Sequence, residues 1–200
     1  MRNPLDVFNQ NVNCFQTLEV FYDYFNQNAK DVDASDILRA EFVLIVSAFD
    51  CYIHDLVKKG MVEIFNGTRV SNKNYENYTL SMSQIKNVLD QDAALRSDTL
   101  GGAISDINSK DSYQAPKSIE YALGLISYNN IWTQLSPILG LTPETIKNRI
   151  AVIVRRRNQI AHEADLQSTI SEERNAICLS DVQGVSSFLK QLVNGIDSLY

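Results

Sequence analysis

Between Leu5 and about Asn28, apolar side chains recur at Leu5, Val12, Phe15, Leu18, Phe21, Tyr22 and Phe25, a three-to-four spacing that predicts an amphipathic helix over about 5–28. A polar break at Asp31 to Ala34 ends it. Ser35 is placed to cap a second helix over 35–66, closed by the turn pair Asn66-Gly67. The centre of this helix, Phe42-Val43-Leu44-Ile45-Val46-Ser47-Ala48-Phe49, is apolar on all sides, which places it in the middle of a bundle. Thr142-Pro143-Glu144 opens a third helix over 143–164, with Thr142 as its cap and Pro143 in its first position. After a polar linker over 167–175, Ser180-Asp181 opens a last amphipathic helix over 180–199, through Val182, Val185, Phe188, Leu189, Leu192, Val193 and Ile196.

Residues 67–142 have a weaker pattern. Ser81 to Leu89 predicts a short helix, Leu100-Gly101-Gly102 and Gln114-Ala115-Pro116 predict breaks, and the stretch 118–139 predicts one or two helices carrying Trp132. We read this region as a peripheral helical insertion packed on the bundle. The expected fold is all-α: a four-helix bundle with an insertion between its second and third core helices, forming one domain over 1–200.

Composition narrows the picture. Hydrophobic residues make up 44% and charged residues 21%, which fits a globular chain and excludes a disordered one. Eight glycines and four prolines in 200 residues are too few for a turn-rich β fold. The net charge of −6 gives no general attraction to nucleic acid or to an anionic membrane, so any such contact must come from a local patch. Cys14, Cys51 and Cys178 are too scattered for a disulfide framework or a zinc cluster, so we expect no metal, no cofactor and a reducing cytoplasm. No apolar run approaches the roughly 18 residues of a membrane span, and no membrane partner is expected.

Two positions break the apolar pattern. In the third core helix Ile146, Ile150, Ile153 and Ile160 form a stripe, and at about 100° per residue position 157 falls within about 20° of its centre. That residue is Arg157, whose guanidinium needs a buried carboxylate or an anionic ligand. Arg155 and Arg156 point elsewhere. Asn158 and His162, four apart, lie on one edge of the stripe, so Arg157, Asn158 and His162 can converge at the mouth of a groove. Alternatively, Arg157 makes a core ion pair and His162 caps the helix C-terminus. In the second core helix Arg39, Val43, Val46, Asp50, Ile53 and Val57 share a face, with His54 at its edge. Asp50 is a natural partner for Arg157, and Asp50 with His54 forms either a structural pair or part of the same site.

Arg157-Asn158-Gln159-Ile160-Ala161-His162 resembles the R-x4-H motif of HEPN domains, in its R-N-x-x-x-H form. The second core helix, through Ser47 to Leu56, and the sequel Glu163-Ala164-Asp165 resemble the RiboL-PSP branch of that superfamily. The resemblance implies a four-helix bundle with the motif on its third core helix. It also implies a metal-independent endoribonuclease that acts on RNA as a homodimer, used as a toxin or in antiviral defence, with an antitoxin or regulatory protein as a further partner. His162 then serves as acid or base, since histidine exchanges protons near neutrality, and Arg157 stabilises the phosphate charge. Asn158 holds phosphate or orients the imidazole, and Asp50 positions Arg157. Arg155, Arg156, His54 and Arg39 are the expected substrate-binding residues. The competing expectation is a non-catalytic HEPN module for dimerisation, nucleotide binding or sensing.

Overall fold

A computed structural model describes residues 2–29, 31–127, 130–168 and 172–200. Residues 169–171 of the expected linker and 128–129 of the stretch before Trp132 lie outside the described residues. The regular elements among the described residues are helices: α1 (Pro4–Phe15), α2 (Thr17–Asn28), α3 (Ser35–Phe65), α4 (Lys73–Glu76), α5 (Met82–Leu89), α6 (Arg96–Asn108), α7 (Pro116–Gly124), α8 (Ile131–Leu139), α9 (Pro143–His162) and α10 (Leu179–Asp197). Among the described residues there is no strand, only an isolated antiparallel bridge between Leu166 and Arg174. The fold is all-α, as the hydrophobic spacing predicts.

The apolar run Phe42 to Phe49 sits at the centre of the molecule. Phe42, Ile45, Val46, Ala48 and Phe49 are all buried, and α1, α2, α6, α7, α9 and α10 pack around α3. Ser35 does not cap this helix. Ala34 holds the cap position, Asp33 accepts the Ser35 N–H at 2.9 Å, and the Ser35 hydroxyl accepts from Arg39 Nη1 at 2.6 Å. The other end closes as expected, with Asn66 as the C-cap and Gly67 in the left-handed region at φ +74°.

The helix expected over 5–28 is two helices. The Gln16 N–H ends α1 on the Val12 carbonyl at 3.0 Å, and the Gln16 carbonyl opens α2 by accepting from Glu19 N–H at 3.1 Å. The two halves differ in what they bury: α1 sinks Phe8 and Val12 into the core, whereas α2 buries no residue completely and leaves Val20, Phe21 and Tyr24 exposed.

The insertion is less peripheral than its sequence suggests. Gly101-Gly102 lies inside α6 rather than between elements, because Leu100, Ala103 and Ile104 on the same helix are buried against α3 and outweigh the glycines' poor helix propensity. Ile119, Leu123, Trp132 and Leu135 join the core of the four long segments, and Trp132 satisfies its indole N–H on Glu120 Oε2 at 3.0 Å. Gly60 permits this closeness, since a Cβ there would meet Ile126 Cγ2 at 2.7 Å. The predicted short helix is α5, opened by a capping box between Ser81 and Gln84. Pro116 opens α7 in a first-turn position.

Two carboxyl groups face each other between α2 and α3. Glu41 of α3 is fully buried, and neither of its carboxylate oxygens has a hydrogen-bond partner among the described residues. Glu19 of α2 faces it while accepting from Gln183 Nε2 of α10 at 2.8 Å. Burial, and then the neighbouring Glu19 carboxylate, push Glu41 up from its ordinary value of 4.5 to about 7. Folding therefore favours protonated Glu41. Its contribution is complete below about pH 4.5 and is lost as the pH rises through about 7, a change on the order of 3 kcal/mol. Thermal melts should show Glu41→Gln more stable than wild type at pH 8, with the gain fading towards pH 5. A constant difference across that range would rule out the buried carboxyl.

Candidate functional site

Thr142 caps α9 by accepting the Thr145 N–H at 3.2 Å, and Pro143 fills the first helical position. Ile146, Ile150 and Ile153 are buried from this helix, facing α3 and α8. Arg157 continues their row, and its Nε is buried with no partner among the described residues. The rest of the guanidinium turns out to the surface, where Nη1 donates to Asn158 Oδ1 at 3.0 Å. Neither half of the expected ion pair with Asp50 is made. Arg157 has Asn158, and Asp50 has partners elsewhere.

Ala151, Arg155, Asn158 and His162 fall on one exposed line of α9, at the i, i+4, i+7, i+11 spacing of a single helix face. His162 is the last residue of the helix, exposed, and no hydrogen bond or ion pair engages it among the described residues. It does not cap α9: Gln159 O takes the backbone N–H groups of Glu163 and Asp165, each at 3.0 Å. Arg155 likewise has no ion-pair partner among the described residues. Beside this line runs a groove of about 490 Å³ between α9 and the start of α7.

Arg156, on the other side of the helix, is fully committed. It pairs with the Asp165 carboxylate and donates from Nη2 to Ala176 O at 3.0 Å. Asp165 is fully buried, sits at φ +60°, and also takes Arg39 Nε at 2.7 Å. The remaining Arg39 donors go to Ser35 Oγ and Asp36 and, at 2.8 Å, to Asn175 O. Asn175 in turn donates from Nδ2 to Asp165 O at 3.0 Å. Arg39 and Arg156, expected at an RNA-binding surface, are therefore structural. A buried carboxylate is tolerable only with its charge met, and these two guanidinia meet it.

A family model described as RiboL-PSP-HEPN matches residues 9–200. The chain belongs to the RiboL-PSP-HEPN family. Searches of curated proteins and of solved structures found no match. The family match spans the insertion as well as the long helices, and in this RiboL-PSP-HEPN domain the residues between Arg157 and His162 occupy the last turns of α9. No helix among the described residues is long and apolar enough to cross a membrane, and no cluster of three or more His, Cys, Asp or Glu there could hold a metal ion.

Asp50 and His54 of the HEPN domain serve the insertion. Asp50 Oδ1 accepts the Tyr113 backbone N–H at 2.6 Å and Oδ2 accepts Gln114 Nε2 at 3.0 Å. His54 stacks on the Tyr113 ring with centroids 4.3 Å apart, and its Nε2 lies 3.7 Å from Asp50 Oδ1. Both side chains thus fix the segment that leads into α7, and no hydrogen bond or ion pair among the described residues joins them to Arg157 or His162. Cys51 shares their cleft with α6, and burial, and then the Asp55 charge, push its thiol up.

Sequence reasoning passed over Asp165 as a structural hub, together with the groove wall at Ala115-Pro116. One signal for Asp165 was present: an aspartate just past a helix end is among the few residues that adopt a left-handed turn readily. The geometry separates the three consecutive arginines. Arg156→Ala leaves Asp165 with Arg39 as its remaining cation and should cost about 2 kcal/mol in urea unfolding, the scale of one charged hydrogen bond, whereas Arg155→Ala should change stability by no more than about 0.5 kcal/mol. Equal effects would contradict the assignment of Arg156 to the fold.

Proposed function

We propose that this HEPN domain is a metal-independent endoribonuclease whose site is the exposed end of α9. What carries the reading is an unpartnered, exposed His162 one helical turn beyond Asn158, which itself holds the Arg157 guanidinium at the surface. A proton carrier and a fixed cation on one helix end are two of the three groups that RNA cleavage by internal attack requires.

In that reaction the ribose 2'-oxygen attacks the adjacent phosphorus and gives its proton to a base. The bond from phosphorus to the 5'-oxygen then breaks, and that oxygen takes a proton from an acid. The ends are a 2',3'-cyclic phosphate and a 5'-hydroxyl. His162 fills one of the two proton roles. Arg157, permanently cationic and able to bind two phosphate oxygens, stabilises the charge that grows on phosphorus in the transition state. Asn158 positions Arg157, the task that Asp50 does not perform. Arg155 adds a free cation on the same line for a neighbouring phosphate. One chain supplies a single histidine here, so a homodimer that brings two α9 ends together provides both acid and base. A role as toxin or defence effector, restrained by an antitoxin or regulatory protein, belongs to the same proposal.

The test is cleavage of a structured RNA in EDTA by wild type and His162→Ala, purified identically. Wild type should cut, and the variant should lose at least about 100-fold in rate, the scale of general acid-base catalysis. Equal cutting by both proteins would remove His162 from the site. Cutting by neither would favour a non-catalytic module.

A further inference from the structure

The groove between α7 and α9 has a composition that a bare helix surface lacks. Ala115 and Pro116 form one wall, and Ala151 and Val154 of α9 supply the apolar floor. Its polar side carries Arg155 and Asn158, both on the line that ends at His162, and then Gln159 and Glu163. Its volume of about 490 Å³ lies within the range of about 300–1,000 Å³ typical of small-molecule sites.

The wall is fixed rather than draped. Tyr113 and Gln114, immediately before Ala115, are 1% and 3% exposed, and both are held on the Asp50 carboxylate. His54 stacks on Tyr113 from the same helix. A central helix therefore spends a partly buried carboxylate and an imidazole on the placement of a surface segment whose next two residues line the groove.

We propose that this groove seats the nucleobase adjoining the scissile phosphate, and that the insertion thereby sets which RNA linkage is cut. The inference rests on the ribonuclease reading and adds to it a specificity site. Single-stranded RNA is read through splayed bases that lie on flat apolar surface and hydrogen-bond along their edges. Ala151, Val154 and Pro116 offer that surface. Arg155 and Asn158 lie on the line that leads to His162, which places the phosphate at that side of the groove.

Glu163 determines which base fits. A carboxylate repels phosphate and accepts hydrogen bonds only, so it faces a base edge that presents donors. Guanine, with adjacent N1–H and N2–H2 groups, meets a carboxylate with two parallel bonds. Uracil offers one ring N–H flanked by two carbonyl oxygens that face the carboxylate unfavourably. The groove thus favours guanine and disfavours uracil, with Gln159 able to donate to a ring nitrogen or to the exocyclic oxygen.

The test uses guanosine and uridine 3'-monophosphates as probes, titrated into the isotope-labelled full chain and followed by amide NMR, which reads binding without catalysis. Guanosine 3'-monophosphate should bind saturably, shift the amides of Ala115, Ala151 and Gln159, and bind more tightly than the uridine compound. Ala151→Trp, at an exposed position where the fold is undisturbed, should weaken it at least about tenfold. Glu163→Gln should lower the guanosine-to-uridine preference at least about fivefold. Absence of saturable binding at about 10 mM, undiminished binding to Ala151→Trp, or an unchanged preference in Glu163→Gln would overturn the proposal. Failure of the ribonuclease reading is separable: His162→Ala would then cut RNA as wild type does while the nucleotide results stood.

Discussion

The Asp165 carboxylate, fully buried between the guanidinia of Arg39 and Arg156, is the contact on which the arrangement of this protein depends. Alone, such a charge would cost several kcal/mol and unfold its surroundings. With two cations and the Asn175 amide it becomes a lock that only one chain path can close. The partners come from the start of α3, the body of α9 and the return segment before α10, so three parts of the chain must arrive together. Its φ of +60°, following the +51° of Ala164, turns the backbone sharply just after α9 ends at His162. Buried ion pairs add little net stability compared with an apolar core, and their better-attested effect is to fix register. Here the register fixed is that of the helix end that carries the proposed chemistry.

The same rotation that aims Arg156 at Asp165 sorts its neighbours. Steps of about 100° send three consecutive arginines in three directions. Arg156 is consumed by the fold, Arg155 is left free on the exposed line, and Arg157 rises from the isoleucine row to Asn158. A chain of net charge −6 can in this way present a small cationic surface at one helix end without being basic as a whole. Asp50 does comparable work at the opposite wall, since the carboxylate expected to meet Arg157 instead organises the entry to α7.

Much of this was legible in the sequence because it is local. The threonine cap and proline start of α9, the apolar centre of α3 and the amphipathic stripe of α10 follow from residues within a turn or two of one another. That Arg157 continues the isoleucine row followed from helix geometry alone, whereas the outward turn of its guanidinium onto Asn158 did not. What could not be read was which groups meet across helices. Arg39 lies 126 residues from Asp165, and Asp50 lies 63 from Tyr113, so periodicity reveals that each needs a partner without naming it. The same limit explains Gly101-Gly102, where local propensity points to a break and burial of Leu100 and Ile104 against α3 keeps the helix intact.

The chemistry assigned to the end of α9 stands or falls on the attacking group being the RNA's own 2'-hydroxyl. An oligoribonucleotide cut by the wild-type protein, compared with the same oligonucleotide carrying one 2'-deoxy sugar on the 5' side of the cut bond, tests this directly. The account predicts a 2',3'-cyclic phosphate and a 5'-hydroxyl from the first, and no cleavage at that bond in the second. Cleavage of the deoxy-substituted bond, or 5'-phosphate ends from either, would show that water or another nucleophile attacks, and would contradict the account.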